Sequence, residues 1–174
     1  MTPHEERAHA SAGTCPGCGL AGPELLDPPP AELVASAACY RLLEALLARS
    51  YGDPHARRLH QLIVDAYVAQ HAGGRTRREV QKVALCLMTL CLFCERGADP
   101  ASGPALHQRM VRRRPPFRWL EPPSGHGLLT VADALAAEGP AEQERLLRDW
   151  AEQVWCSWSA HHTTVREWNR HALG

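Results

Sequence analysis

Apolar residues recur along the chain at helical spacing, and the polar residues that interrupt them are the informative positions. Leu33, Ala37, Tyr40, Leu43 and Leu47 predict a helix over residues 31–50 that ends near Tyr51-Gly52. Asp53-Pro54 supplies an N-cap and a first-turn proline for a second helix. That helix, within residues 59–74, sets His60, Asp65, Tyr67, Gln70 and His71 among Leu, Ile, Val and Ala, and Gly73-Gly74 stops it. Thr76 and Glu79 have the spacing of a capping box for a helix reaching about Arg96, with Gly97 as its stop. Residues 83–94 of that helix are apolar almost all round, so it belongs in the centre of the fold.

Signals are weaker in the second half of the chain. A short helix is expected over residues 104–113, and Thr130 with Asp133 caps another that Gly139 ends. After Pro140 no Pro or Gly occurs until Gly174, which predicts one helix of roughly thirty residues, near 45 Å long. Its stripe reads Leu147, Ala151, Val154, Trp158, His161, Val165 and Trp168. The fold class is therefore all-α, a helical bundle with a long C-terminal helix. Such a helix can run past the body and pair with a second copy, so a homodimer through it is the expected assembly.

Composition narrows the class. The 174 residues are 45% hydrophobic with a formal net charge of +0, enough for one domain with a real core and no general attraction to nucleic acid. No apolar run has transmembrane length, and residues 1–14 lack the apolar centre of a signal peptide, so neither a nucleic-acid nor a membrane partner is expected. A cytoplasmic protein is expected, and the abundance of Ala, Arg and Pro suggests a bacterial one. Residues 1–14 read as disordered, 15–30 as a zinc knuckle with a Pro-rich linker, and 31–174 as the helical bundle domain.

The seven cysteines in a reducing compartment read as thiols or metal ligands. Cys15-Pro16-Gly17-Cys18-Gly19 is a CPxCG knuckle, half of a tetrahedral zinc site. No second CxxC exists, so two further ligands must come from elsewhere in the fold. His60 and His71 are roughly 16 Å apart along a helix and cannot share an ion. His71 lies in the last turn, on the same face as Tyr67, and can reach other elements. Asp65 is expected to be buried, either in a structural hydrogen bond or orienting a ligating histidine. Cys39, Cys91 and Cys94 read more readily as core residues than as ligands. His161 and His162, preceded by Trp150, Trp155 and Trp158, read as ligand or proton-transfer candidates. Arg112-Arg113-Arg114, beside Phe117, Arg118 and Trp119, is either a phosphate or partner patch or a solvated loop.

Three segments together resemble an uncharacterised bacterial family, a domain of unknown function. They are Cys15-Pro-Gly-Cys-Gly19, Val64-Asp-Ala-Tyr-Val-Ala-Gln-His71, and the run from Trp150 through Val154-Trp155, Trp158, His161-His162 and Val165-Arg166 to Trp168. The resemblance implies no activity. The family pattern often has Val-His-Leu where this chain reads Leu85-Cys86-Leu87, a change that keeps a metal-binding group. By analogy with DinB-like bundles, His71, Cys86 and His161 or His162 would then meet between three helices. Metal-ligand candidates are thus Cys15, Cys18, His71, Cys86, His161 and His162, with Zn2+ the expected ion.

Two arrangements compete. In one, the knuckle and two helix ligands close a single structural site; in the other, three helix residues hold an open site. The leading function is a metal-binding protein. Its rivals are a metal-dependent hydrolase or thiol transferase acting on a small-molecule substrate, with Asp65 or Tyr67 as acid or base, and a non-catalytic interaction module built on the Trp-rich helix.

Overall fold

The computed structural model describes residues 12–174 and is mainly α-helical, with one two-stranded sheet. Of the N-terminal stretch expected to be disordered, residues 1–11 lie outside the described residues. Residues 12–14 are not disordered: β1 (Ala12–Thr14) pairs antiparallel with β2 (Ala21–Pro23), Ala12 opposite Pro23. The knuckle is the loop of this hairpin. Cys15 N–H donates to the Leu20 carbonyl at 2.8 Å and Gly19 N–H to the Cys15 carbonyl at 2.8 Å, while Gly19 adopts φ +79°, which glycine tolerates best.

The linker then runs to Ser36, and helix α1 (Ala37–Gly52) begins there rather than near residue 31. Ser36 is the N-cap: its hydroxyl accepts from Cys39 N–H at 3.2 Å. Asp53 caps α2 (Pro54–Arg58), and Leu59 joins it to α3 (His60–Gln70). The Thr76–Glu79 capping box opens α4 (Arg77–Arg96), and Gly97 closes it in the left-handed region at φ 64°. A 3-10 turn leads into α5 (Gly103–Arg112). A second capping box, Thr130 with Asp133, opens α6 (Val131–Leu135). That helix ends at Ala136, and Gly139 instead stands at the N-cap of α7 (Pro140–Ser157).

The expected single C-terminal helix is two. A 3-10 turn over Ser159–His161 separates α7 from α8 (His162–Leu173). The cause is local competition for one carbonyl. Trp158 N–H bonds back only three residues, to Trp155 O at 3.0 Å, and the His162 ring nitrogen Nε2 lies 2.9 Å from the same oxygen. The chain turns there, so α8 folds against α4 and α5 instead of running past the body. The overhang on which the homodimer expectation rested is absent among the described residues.

Helices α3 and α4 form the centre, with α7 packed on both. The run from Ala84 to Cys91 is buried at every position, as its all-round apolar character requires. Around it lie Leu62, Ile63, Ala66, Leu147, Val154 and Val165, with Trp150 and Trp158 as the largest fully buried side chains. No helix among the described residues is long and apolar enough to cross a membrane.

Candidate metal centre

Four side chains from three segments converge beneath the hairpin. Cys15 and Cys18 come from the knuckle, Cys39 from the first turn of α1, and His71 from the residue immediately after α3. All four are buried, and their ligand atoms all lie within 4.8 Å of one another. Cys18 Sγ is 3.7 Å from Cys39 Sγ, and Cys39 Sγ is 3.5 Å from His71 Nε2. Ligands on a tetrahedral zinc at its usual bond lengths would be about 3.8 Å apart for two sulfurs and about 3.5 Å for sulfur and nitrogen. The cluster is therefore close enough to hold a metal ion.

Each ligand is aimed by its neighbours. Nδ1 of His71 lies 2.8 Å from the Tyr67 carbonyl, which leaves Nε2 to face the sulfurs. The Tyr67 ring stacks on the imidazole with centroids 4.0 Å apart, and its hydroxyl donates to Cys39 Sγ at 3.4 Å. Ser36 N–H donates to Cys15 Sγ at 3.4 Å. Val34 N–H donates to the His71 carbonyl at 2.9 Å, so the linker is tied to the end of α3. Gly17 is required for the approach: a Cβ there would collide with the Val34 carbonyl oxygen and lie 2.6 Å from His71 Cδ2.

The electrostatics of the cluster ask for a cation. Hydrogen bonds from Cys18 and Cys39 hold the Cys15 thiol far below its ordinary range, whereas Cys39, facing Cys15 and Cys18, is pushed far above it. Three thiols this close cannot all ionise unaided. Burial opposes charge on His71, but hydrogen bonds to Cys15 and Cys18 prevail and raise its imidazolium to about 9. Burial, and then the bond to Cys39, raises the Tyr67 phenol well above its usual value. A divalent ion would replace these shared protons and let all three sulfurs bind as thiolates.

Not every expected ligand is here. Cys39 belongs to the cluster although the sequence marked it as core. The error comes from the helix start: a helix from residue 31 places Cys39 mid-helix, whereas the Ser36 cap puts it in the first turn, beneath the knuckle. The one legible signal was a Ser three residues before a Cys.

Cys86, His161 and His162 lie outside the cluster, so the expected meeting of His71 with them does not occur. Cys86 is buried on α4 beside Asp65, and burial followed by that carboxylate's charge raises its thiol. His161 Nε2 is 2.9 Å from the Glu121 carbonyl. His162 stacks on Trp155 with centroids 3.8 Å apart and serves the α7–α8 turn. His161 lies in the break itself and His162 opens α8, so the face that the unbroken period assigned to His161 no longer holds.

Asp65 orients no member of the cluster. Its carboxylate accepts from Gln61 Nε2 at 2.8 Å and from the Thr89 hydroxyl at 2.5 Å, with His107 Nε2 3.4 Å away. This set, with Asp65 and Thr89 buried and Gln61 and His107 half-buried, pins α3 to α4 and α5. Gln70 does the same elsewhere: it donates to the carbonyls of Gly125 and Leu129 at 3.2 and 3.0 Å and accepts from Trp150 Nε1 at 2.9 Å. Trp158 Nε1 donates to the Ala69 carbonyl at 3.3 Å and Trp155 Nε1 to Glu95 at 3.2 Å. All three tryptophans are buried, facing the interior rather than a partner.

The three sequence segments that carried the resemblance thus form one connected framework around the cluster, and a family model covers most of it. The chain belongs to the family of unknown function DUF5946. The match spans residues 13–159, which takes in the hairpin, the cluster and the helices through α7. Among curated proteins and solved structures nothing matches closely enough to add a relative or a fold name.

Proposed function

We propose that this DUF5946 member is a zinc protein whose Cys15-Cys18-Cys39-His71 centre is structural. The observation that supports it is the closed donor set: four buried ligand atoms within 4.8 Å of one another, with Cys18–Cys39 and Cys39–His71 at tetrahedral separations, on three segments otherwise distant in sequence. Three thiolates and an imidazole suit zinc over harder cations, and four protein ligands leave no coordination position for substrate. The ion would join the hairpin and linker to α1 and α3, adding binding energy directly to folding. Seven free cysteines fit a reducing compartment, the cytoplasm in our reading. Asp65 and Tyr67 act in this reading as buried structural hydrogen-bond partners rather than as acid and base, and the tryptophans as core.

Protein expressed with zinc, measured by elemental analysis, should carry one zinc per chain. Cys39→Ser should lower that content, whereas Cys86→Ser and His162→Ala should keep it. Retention in the first variant with loss in either of the others would restore the three-helix site and sink this one. Cobalt substitution separates structure from catalysis. A tetrahedral, sulfur-rich spectrum indifferent to added small thiols or anions is expected, whereas a spectrum that shifts on their addition would signal an open position and favour an enzyme.

A further inference from the structure

Away from the metal centre, loop residues 114–119 and the start of α4 enclose a solvent-open cleft of about 590 Å³. Arg75, Arg77 and Arg114 line it, together with Gln81, Phe117 and Trp119. Arg75 lies flat over the Trp119 indole, its Cζ 3.8 Å from the ring centroid. Pro115 and Pro116 come after Arg114 in the wall and restrict the backbone that presents it. We propose that this cleft binds the phosphate groups of a small phosphorylated molecule, held by the three guanidinium groups with its remainder against Trp119 and Phe117.

The charge distribution is what argues for it. Nineteen basic and nineteen acidic side chains give the chain no net charge, so three arginines without a carboxylate around one cleft are a local excess of positive charge. Six arginines elsewhere meet a carboxylate, namely Arg41, Arg58, Arg145, Arg148, Arg166 and, next to Arg77, Arg78 at 3.6 Å from Glu32, while Arg49 and Arg57 bond the backbone carbonyls of Leu135 and Tyr51. Arg75, Arg77 and Arg114 meet none among the described residues. Arg77 is also the first residue of α4, where the positive end of the helix dipole repels a cation. The acidic residue of that turn, Glu79, is engaged by the Thr76 backbone N–H at 2.8 Å as half of the capping box. Arg118 bonds Thr164 at 2.8 Å and stands outside the trio.

Three guanidinium groups without a carboxylate partner, two beside the α4 N-terminus and one from the 114–119 loop, give the cleft a positive lining that suits phosphate. The donors are planar and bidentate, matched to phosphate oxygens, and backbone N–H groups of the first turn add to the field. The volume lies in the range of small-ligand clefts rather than of extended interfaces.

Inorganic pyrophosphate and ATP titrated separately into the purified full chain test the proposal by calorimetry. Both should bind, more weakly as salt rises, and pyrophosphate should shift the Trp119 indole N–H resonance in the unmodified protein. Arg77→Ala and Arg114→Ala should each weaken binding about tenfold or more, with zinc content and circular dichroism unchanged. Arg112→Ala and Arg113→Ala, outside the cleft, should leave it intact. Failure of both probes to bind, or equal loss in the two control variants, would overturn the proposal. A short single-stranded oligonucleotide binding more tightly than either probe through the same arginines would replace a small phosphorylated ligand by a nucleic acid. Because phosphate binding is read by calorimetry and the Trp119 resonance, an absence of zinc would leave the cleft standing, and the reverse holds equally.

Discussion

At the scale of single residues, the central helix shows why polar groups on an apolar face are worth pursuing. Asp65, Tyr67, Gln70 and His71 are all buried, and each meets a partner outside its own helix: Thr89, Cys39, the 125–129 loop and the thiol cluster respectively. Burial of each was legible from the flanking apolar residues; the identity of the partners was not, because a helix period fixes azimuth and says nothing of what packs opposite. Tyr67 tests this reading. Tyr67→Phe keeps the ring on His71 but removes the hydroxyl that donates to Cys39, so denaturation should show a loss of about 0.5–1.5 kcal/mol. The same variant should release zinc to a chelator faster than the wild type while still binding one equivalent. Unchanged release would mean that the hydroxyl does not steady the sulfur.

At the scale of elements, most helix starts and stops were readable where a side chain supplies the missing backbone partner, the Ser36 cap of α1 being the one missed. The Thr76–Glu79 and Thr130–Asp133 boxes and the Gly97 stop all stand where their residues announce them. The junction between α7 and α8 carries no such signal, neither Pro nor Gly, because the interruption arises from a histidine ring and a Trp158 N–H sharing one carbonyl. Once turned, α8 is fastened to α4 by Glu95. Arg166 donates to its carboxylate through Nε at 2.9 Å and Nη2 at 2.7 Å, and Trp155 adds a third bond. The Arg166 hydrogen bonds hold the Glu95 carboxyl below its ordinary 4.5. A carboxyl depressed in the folded state contributes stability that is complete above its unfolded value and fades as pH falls through the folded one. The gap in stability between wild type and Glu95→Gln should therefore be widest near neutral pH and shrink below about pH 4.5. A gap independent of pH would show that the pairing with Arg166 contributes nothing beyond shape.

At the scale of the whole molecule, the bundle and the hairpin meet at one cluster, and the thermal behaviour should reflect it. Zinc held at a thousandfold above its dissociation constant contributes about 4 kcal/mol. For a chain of this size that corresponds to roughly 8–16 °C in melting temperature, so stripping the metal with a strong chelator should lower the midpoint by about that much. Full metal removal without a shift would mean that the helical body is indifferent to its knuckle. The sequence by itself determined the all-α class, the central position of the 77–96 helix, most of its neighbours' boundaries, and a thiol pair prepared for a metal; each arises from local periodicity, caps and turn chemistry. The tertiary structure alone decided that Cys39, rather than Cys86 or the paired histidines, joins the expected Cys15, Cys18 and His71 in the cluster, and that three arginines from two segments share one cleft. Such choices depend on how far each helix is rotated and where the chain turns back, and those are set by packing among residues distant in sequence, which no local pattern encodes.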